Sequence, residues 1–222
     1  FYFTCGGDSE YDADYNIKDR KIKNLIYLIQ ARNFEVGLHG SFNSYNDYRL
    51  LNREYDTLKN IAGDVFGGRQ HYLRFDIQNT LRIYEQLRLK YDATMGFAEH
   101  EGYRNSFSFP YFPYNIKKDQ PFKVLEIPLL VMDGTLSQYR KLSIEEAWQV
   151  CEKLLEFLKE CSGCASILWH NSYFDEVEYP GWGNIYWKIL RWIKENNGWG
   201  ISTKELYKWW TKRNLKIGNK WK

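Results

Sequence analysis

Three of the four histidines in this sequence close short apolar runs. His39 follows Phe34-Glu35-Val36-Gly37-Leu38, His71 follows Phe66-Gly67-Gly68-Arg69-Gln70, and His170 follows Ala165-Ser166-Ile167-Leu168-Trp169. A buried strand that delivers an imidazole to its carboxyl end is a common way to build a metal or acid–base site. Asn43 stands four residues after His39, across a turn, so the two could offer a nitrogen and an oxygen to Zn²⁺ or a similar ion. His170, on a separate strand, is free to act as a general acid. Arg69 can orient a carboxylate. A backbone N–H near Tyr72 can meet a developing oxyanion. Together these groups suit hydrolysis of an amide or ester, with the metal polarising the carbonyl and His170 protonating the leaving amine.

Each residue also has a plainer reading. A lone histidine at a strand end is commonly structural. Arg69 could form a salt bridge, Asp133 could cap the turn at Gly134, and Gln70-His71-Tyr72 could be polar packing. What favours chemistry is the recurrence of His39, Arg69, Asp92, Asp133 and His170 just after strands.

The elements that must position these groups alternate. Strands are expected at Phe1–Cys5, Glu35–Leu38, near Tyr91, at Val124–Asp133, at Ala165–Asn171 and at Trp199–Ile201. Helices are expected from Ile17 to Ala31, from Asp47 to Ile61, from Ile77 to Leu89 and from Ser143 to Cys161. Two more follow, from Asn184 to Asn196 and from Thr203 to Arg213. Ile22, Leu25, Ile26 and Ile29 form the apolar face of the first helix; Leu50, Leu51, Tyr55, Leu58 and Ile61 form that of the second. Asp76 is expected to cap the third. Met95 to Gln120 lacks periodicity and reads as a long loop, and the basic tail beyond Leu215 as a frayed end.

Near-continuous apolar strands alternating with amphipathic helices imply an α/β fold with a parallel sheet. With no G-x-G-x-x-G or Walker pattern, a closed β/α barrel is preferred over an open nucleotide-binding sheet. The 222 residues, 44% of them hydrophobic, suffice for one large domain spanning 1–222. A net charge of +3 without a dense basic stripe gives no reason to propose nucleic acid. No run approaches the ~18 apolar residues of a membrane span, and no signal peptide is visible, so a cytoplasmic protein is expected. Aromatic residues make up 18%; most are expected to pack, and a few near the motifs to stack on sugar. Cys161-Ser162-Gly163-Cys164 is a lone C-x-x-C, better read as ordinary thiols than as a redox pair. Asp8, Glu10, Asp12 and Asp14 read as a solvated loop.

The ordered set His39-x-x-x-Asn43, Arg69-x-x-Tyr72 and Leu168-Trp169-His170 resembles the polysaccharide deacetylases, the NodB-like carbohydrate esterases. Gly67 to Phe75, Leu125 to Pro128 and Met132 to Thr135 look like a less-studied branch of that superfamily. The resemblance implies a distorted (β/α)7 barrel, a divalent metal such as zinc, and removal of acetyl groups from the N-acetylated sugars of a polysaccharide. It implies His39 as a metal ligand, with Asn43 in the second ligand's place. Arg69 would orient the catalytic base, and the Tyr72 N–H would belong to the oxyanion hole. His170 would be the catalytic acid, with Asp133 tuning it and Asp92 the second choice for that task. The family's first motif, which carries the base, is not found after the opening strand, so this barrel is expected to lack its first strand here and to have that motif upstream. The rival expectation is a non-catalytic carbohydrate-binding barrel.

Overall fold

A computed structural model describes residues 1–218. In chain order the elements begin with β1 (Tyr2–Thr4), α1 (Arg20–Ala31), β2 (Gly37–Gly40), α2 (Tyr48–Ala62), β3 (Gly67–Gln70), α3 (Asn79–Leu87) and β4 (Tyr91–Asp92). A short hairpin of β5 (Tyr114–Asn115) and β6 (Gln120–Pro121) precedes β7 (Leu125–Glu126). Then come β8 (Leu129–Met132), α4 (Ile144–Glu160), β9 (Ser166–Leu168), α5 (Trp182–Glu195) and α6 (Thr203–Gly218).

These elements form two compact units. The first comprises Phe1–Thr94, Pro110–Glu126 and, among the described residues, 202–218; the second comprises Met95–Phe109 and Ile127–Ile201. The first unit holds a five-stranded sheet in the order β1-β2-β3-β4-β7, every pair parallel. The second holds the parallel pair β8-β9.

Parallel strands covered by helices read as continuous apolar or small residues rather than alternating ones. Strand β3 takes this furthest with Gly67-Gly68. A Cβ on Gly68 would lie 2.7 Å from the Leu38 carbonyl oxygen, so only glycine lets β3 approach β2 this closely. Helix α2 starts where Asp47 Oδ1 accepts from the Arg49 and Leu50 N–H groups, at 2.8 and 3.0 Å. It ends at Gly63, whose φ of 79° suits a residue without a side chain. Leu51, Leu58 and Ala62 face the first core with Ile26, Leu38, Leu81 and Tyr84. In the second unit Ser143 and Glu146 form a reciprocal capping box at the start of α4. Ala147, Cys151 and Leu155, four residues apart, meet Val131, Leu136, Ile185 and Ile189 in a separate core.

Several sequence expectations need correction. The strand expected over Val124–Asp133 is two strands, one in each unit, broken at Ile127-Pro128. Pro128 has no N–H for a ladder, and only its carbonyl is used, accepting from Ser166 N at 2.8 Å. No strand forms at Trp199–Ile201, and Trp199 is exposed. Leu25 lies off the buried stripe of α1, at 45% exposure. Asp76 caps the turn ahead of α3, accepting from Gln78 and Asn79 N–H groups, and the helix proper begins at Asn79. The region Met95 to Gln120 contains part of the β5-β6 hairpin. Helix α6 continues past Leu215 to Gly218, and residues 219–222 lie outside the described ones. Among the described residues no helix is long and apolar enough to cross a membrane.

Candidate functional site

In the first unit the ladder sets Thr4, His39 and Arg69 side by side near the carboxyl end of the sheet. His71 follows β3 directly and opens a short turn, His71–Leu73, in which Tyr72 and Leu73 take φ of 55° and 52°. This left-handed stretch turns the chain back on itself just past the strand. Because the ladder pairs His39 with Arg69, His71, two residues further on, stands against His39: His39 Nε2 is 3.0 Å from His71 Nδ1, and the two rings cross at 74°. The far nitrogens meet backbone carbonyls. His39 Nδ1 is 2.9 Å from Arg69 O, and His71 Nε2 is 2.6 Å from Tyr11 O. Carbonyl oxygens only accept, so both far nitrogens carry the hydrogen.

Two latches hold the loop that follows His39. Glu54, buried on α2, accepts from both the N–H and the hydroxyl of Ser41. Burial pushes the Glu54 carboxyl up from its ordinary range, against the pull of those bonds. Asp12 accepts from Phe42 N at 2.7 Å and from Ser9 N at 3.0 Å, tying the loop after β1 to the loop after β2. Around the pair stand Tyr11, Phe42 and Tyr72, with ring centroids 4.6 to 5.4 Å apart. Tyr11 and Tyr72 remain 45% and 53% exposed, so these rings present faces to solvent.

Asn43 sits elsewhere in this arrangement. Its Oδ1 accepts from Arg74 at 3.3 Å, while the Arg74 guanidinium lies over the Phe42 and Tyr45 rings at 4.0 and 4.4 Å. Arg69 is buried, donates through Nε to Ala93 O at 2.7 Å, and lies 5.1 Å over the Tyr2 ring. Asp92 is buried and held by Thr94, which donates through N–H and hydroxyl at 2.8 and 2.7 Å. Burial raises its carboxyl above the usual range. In the ladder it stands beside Glu126.

The second unit builds a different group. Met132 and Leu168 are partners in the β8-β9 ladder, so Asp133 and His170 leave the same end of adjacent parallel strands. Asp133 is fully buried. Its Oδ1 lies 2.7 Å from His170 Nδ1 and accepts from Gly134 N at 2.6 Å, while its Oδ2 accepts from the His170 N–H. One carboxylate thus fixes both the backbone and the ring of His170. The side chain of His170 is 44% exposed. With Nδ1–H given to the carboxylate, Nε2 is the nitrogen left to exchange a proton. The Ser137 hydroxyl donates to Asp133 O at 2.9 Å and meets the Tyr173 hydroxyl, and Tyr173 stacks on Tyr179 at 4.2 Å.

Asp133 rather than Asp92 is therefore the acid in contact with His170. His71, one of the three strand-end histidines in the sequence but given no role there, is the partner of His39. The four cysteines are free thiols; burial raises Cys164 to about 11, Cys5 and Cys151 to about 12. Among the described residues no three His, Cys, Asp or Glu side chains converge.

No protein-family model matches this chain, and no curated protein does. Among solved structures, the chain is similar to a GH57 branching enzyme from the hyperthermophilic archaeon Thermococcus kodakaraensis, solved in complex with glucose. The TM-score is 0.51 at 10% identity, over 84% of this chain and 49% of that one, so the chain spans about half the length of this neighbour. At that identity the likeness is one of fold.

Proposed function

We propose that this protein is a metal-dependent hydrolase that removes acetyl groups from the N-acetylated sugars of a polysaccharide, on a distorted (β/α)7 barrel. The observation that carries the reading is the Asp133–His170 pair: a buried carboxylate holding a half-exposed imidazole by Nδ1. The ordered motifs that resemble polysaccharide deacetylases support it. So does the fold likeness to a GH57 branching enzyme solved with glucose.

The chemistry assigns one task to each group. Water adds to the acetyl carbon and gives a proton to solvent, the C–N bond breaks to leave acetate, and the amine leaves with a proton from His170 Nε2, which solvent then restores. Asp133 keeps the ring in the Nδ1–H form and stabilises the imidazolium before that transfer. Arg69, buried and bonded to Ala93 O, is a positioning residue, and its own carbonyl orients His39. The resemblance makes His39 the ligand of a divalent ion such as zinc, but the residues present fit such an ion poorly, since its Nδ1 is held by the Arg69 carbonyl and its Nε2 by His71 Nδ1 at 3.0 Å. Asn43 fits less well, since its oxygen is taken by Arg74. When bound, the ion would act as a Lewis acid and ease deprotonation of water.

The test is acetate release from an N-acetylglucosamine oligomer by the zinc-loaded protein. His170→Ala should lower turnover by about 10²–10⁴-fold with the far-UV circular dichroism unchanged. Undiminished turnover in that variant would overturn the assignment. A second reading, glycan binding without turnover, is favoured by the exposed rings of Tyr11 and Tyr72. Binding that a chelator leaves intact, with no acetate released, is its signature.

A further inference from the structure

We propose that Arg74 is the anion-recognising residue of a glycan subsite in the first unit, selecting sugars that carry a carboxylate. The proposal rests on the carbohydrate reading for its ligand and on the local geometry for its site. The Arg74 guanidinium lies over the Phe42 and Tyr45 rings, 4.0 and 4.4 Å from their centroids. Both rings are fixed through their main chain. The Phe42 N–H donates to Asp12 at 2.7 Å, and the Tyr45 carbonyl accepts from the Thr80 hydroxyl at 2.7 Å. A long side chain loses rotamer freedom when it grips a ligand; here the two rings have already removed much of it.

Among the described residues Arg74 forms no ion pair. Its guanidinium donates there to a neutral acceptor, from Nη1 to Asn43 Oδ1 at 3.3 Å. The acids that follow these loops in sequence are engaged by N–H groups: Asp47 by those of Arg49 and Leu50, Asp76 by those of Gln78 and Asn79. Contacts with ring faces consume no N–H, so the other donors of the fork suit the two oxygens of a carboxylate. A phosphate ester, nearer two negative charges, calls for a second cation. Among the described residues Arg74 is the one cation over these two rings. The place for the sugar adjoins it. Phe42 also meets the Tyr11 and Tyr72 rings, at 4.6 and 5.4 Å, and those two are exposed. A sugar laid on Tyr11 or Tyr72 thus has a fixed cation one ring away.

The test is titration calorimetry on the wild-type chain, Arg74→Gln and Arg74→Lys. The probes are an oligomer in which N-acetylglucosamine alternates with glucuronic acid, and the same oligomer with its carboxylates reduced to alcohols. Wild type is expected to bind the acidic form about 10- to 100-fold more tightly, by a margin that narrows as salt rises. Arg74→Gln should lose the margin and bind both forms alike. Arg74→Lys, which keeps the charge without the planar fork, should keep only part of it; it decides the matter if circular dichroism finds the Gln variant unfolded. Equal affinity of wild type for the two forms, no binding of either, or a full margin in either folded variant overturns the proposal. So does displacement of the acidic oligomer by an equal concentration of inorganic sulfate, the mark of an adventitious anion site. Acetate released from a neutral N-acetylglucosamine oligomer by a wild type without the margin would leave the deacetylase reading standing and remove this subsite. A margin with no acetate released from any oligomer would do the reverse.

Discussion

His170 and Asp133 are joined twice, once through the ring and once through the main chain, by the two oxygens of a single buried carboxylate. The ladder partners Met132 and Leu168 place them there, so the contact is a property of the β8-β9 register. A shift of one residue in that register would turn the side chains to the opposite face.

Asp133→Asn separates the charge from the shape. The amide can still accept one of the two N–H groups, but it cannot stabilise an imidazolium. Turnover is expected to fall by about 10²–10⁴-fold, with a loss of about 1–3 kcal/mol in stability from the weakened buried bonds. Steady-state kinetics and chemical denaturation of the same sample check both. Wild-type turnover would show that the carboxylate only caps the turn.

Glu54 makes stability depend on pH. Its folded carboxyl is raised above the ordinary range by burial. The native state therefore holds a proton that the unfolded chain has already released. That contribution is full below the ordinary glutamate value of about 4.3 and is lost as pH rises through the raised folded value. Glu54→Gln should remove this part of the slope while an amide still serves Ser41. Melting temperatures of both proteins from acid to neutral pH give the difference; parallel curves would contradict it.

Gly68→Ala tests the close approach of β2 and β3. The added carbon would lie 2.7 Å from Leu38 O, a backbone atom that moves only with the strand. A destabilisation of about 1–3 kcal/mol is expected. Unchanged stability would show that the strands have room.

Tyr11→Ala and Tyr72→Ala address the exposed rings. If they stack on a sugar face at roughly 0.5–1.5 kcal/mol each, KM for an N-acetylglucosamine oligomer rises severalfold with kcat nearly constant. A short acetylated monosaccharide should be less affected. Equal KM in variant and wild type would remove the platform.

Much of this was readable from the chain. Asp47 and Ser143 cap their helices as their residue types and positions suggest. Asp133 meets His170 because both follow apolar runs that are neighbouring strands, which alternation alone makes plausible. The His39–His71 contact was not readable in this way. It depends on the β2–β3 register, which pairs His39 with Arg69 and leaves His71 just past the end of β3, and a register is not written in either strand alone. Glu54 was missed because an apolar count along α2 passes over a charged residue, although its place three after Leu51 puts it on the buried face. The break at Pro128 was visible as a missing donor, but the apolar run around it outweighed that sign.

Both acceptors that set the tautomers of His39 and His71 belong to the main chain, at Arg69 and Tyr11. No side-chain replacement at either position deletes a carbonyl. A substitution scan of positions 11 and 69 would therefore underreport what those residues do for the imidazoles. The ring orientations are written into the path of the chain rather than its lettering, so the imidazoles answer to the course of the loop and strand at these positions and not to the side chains carried there.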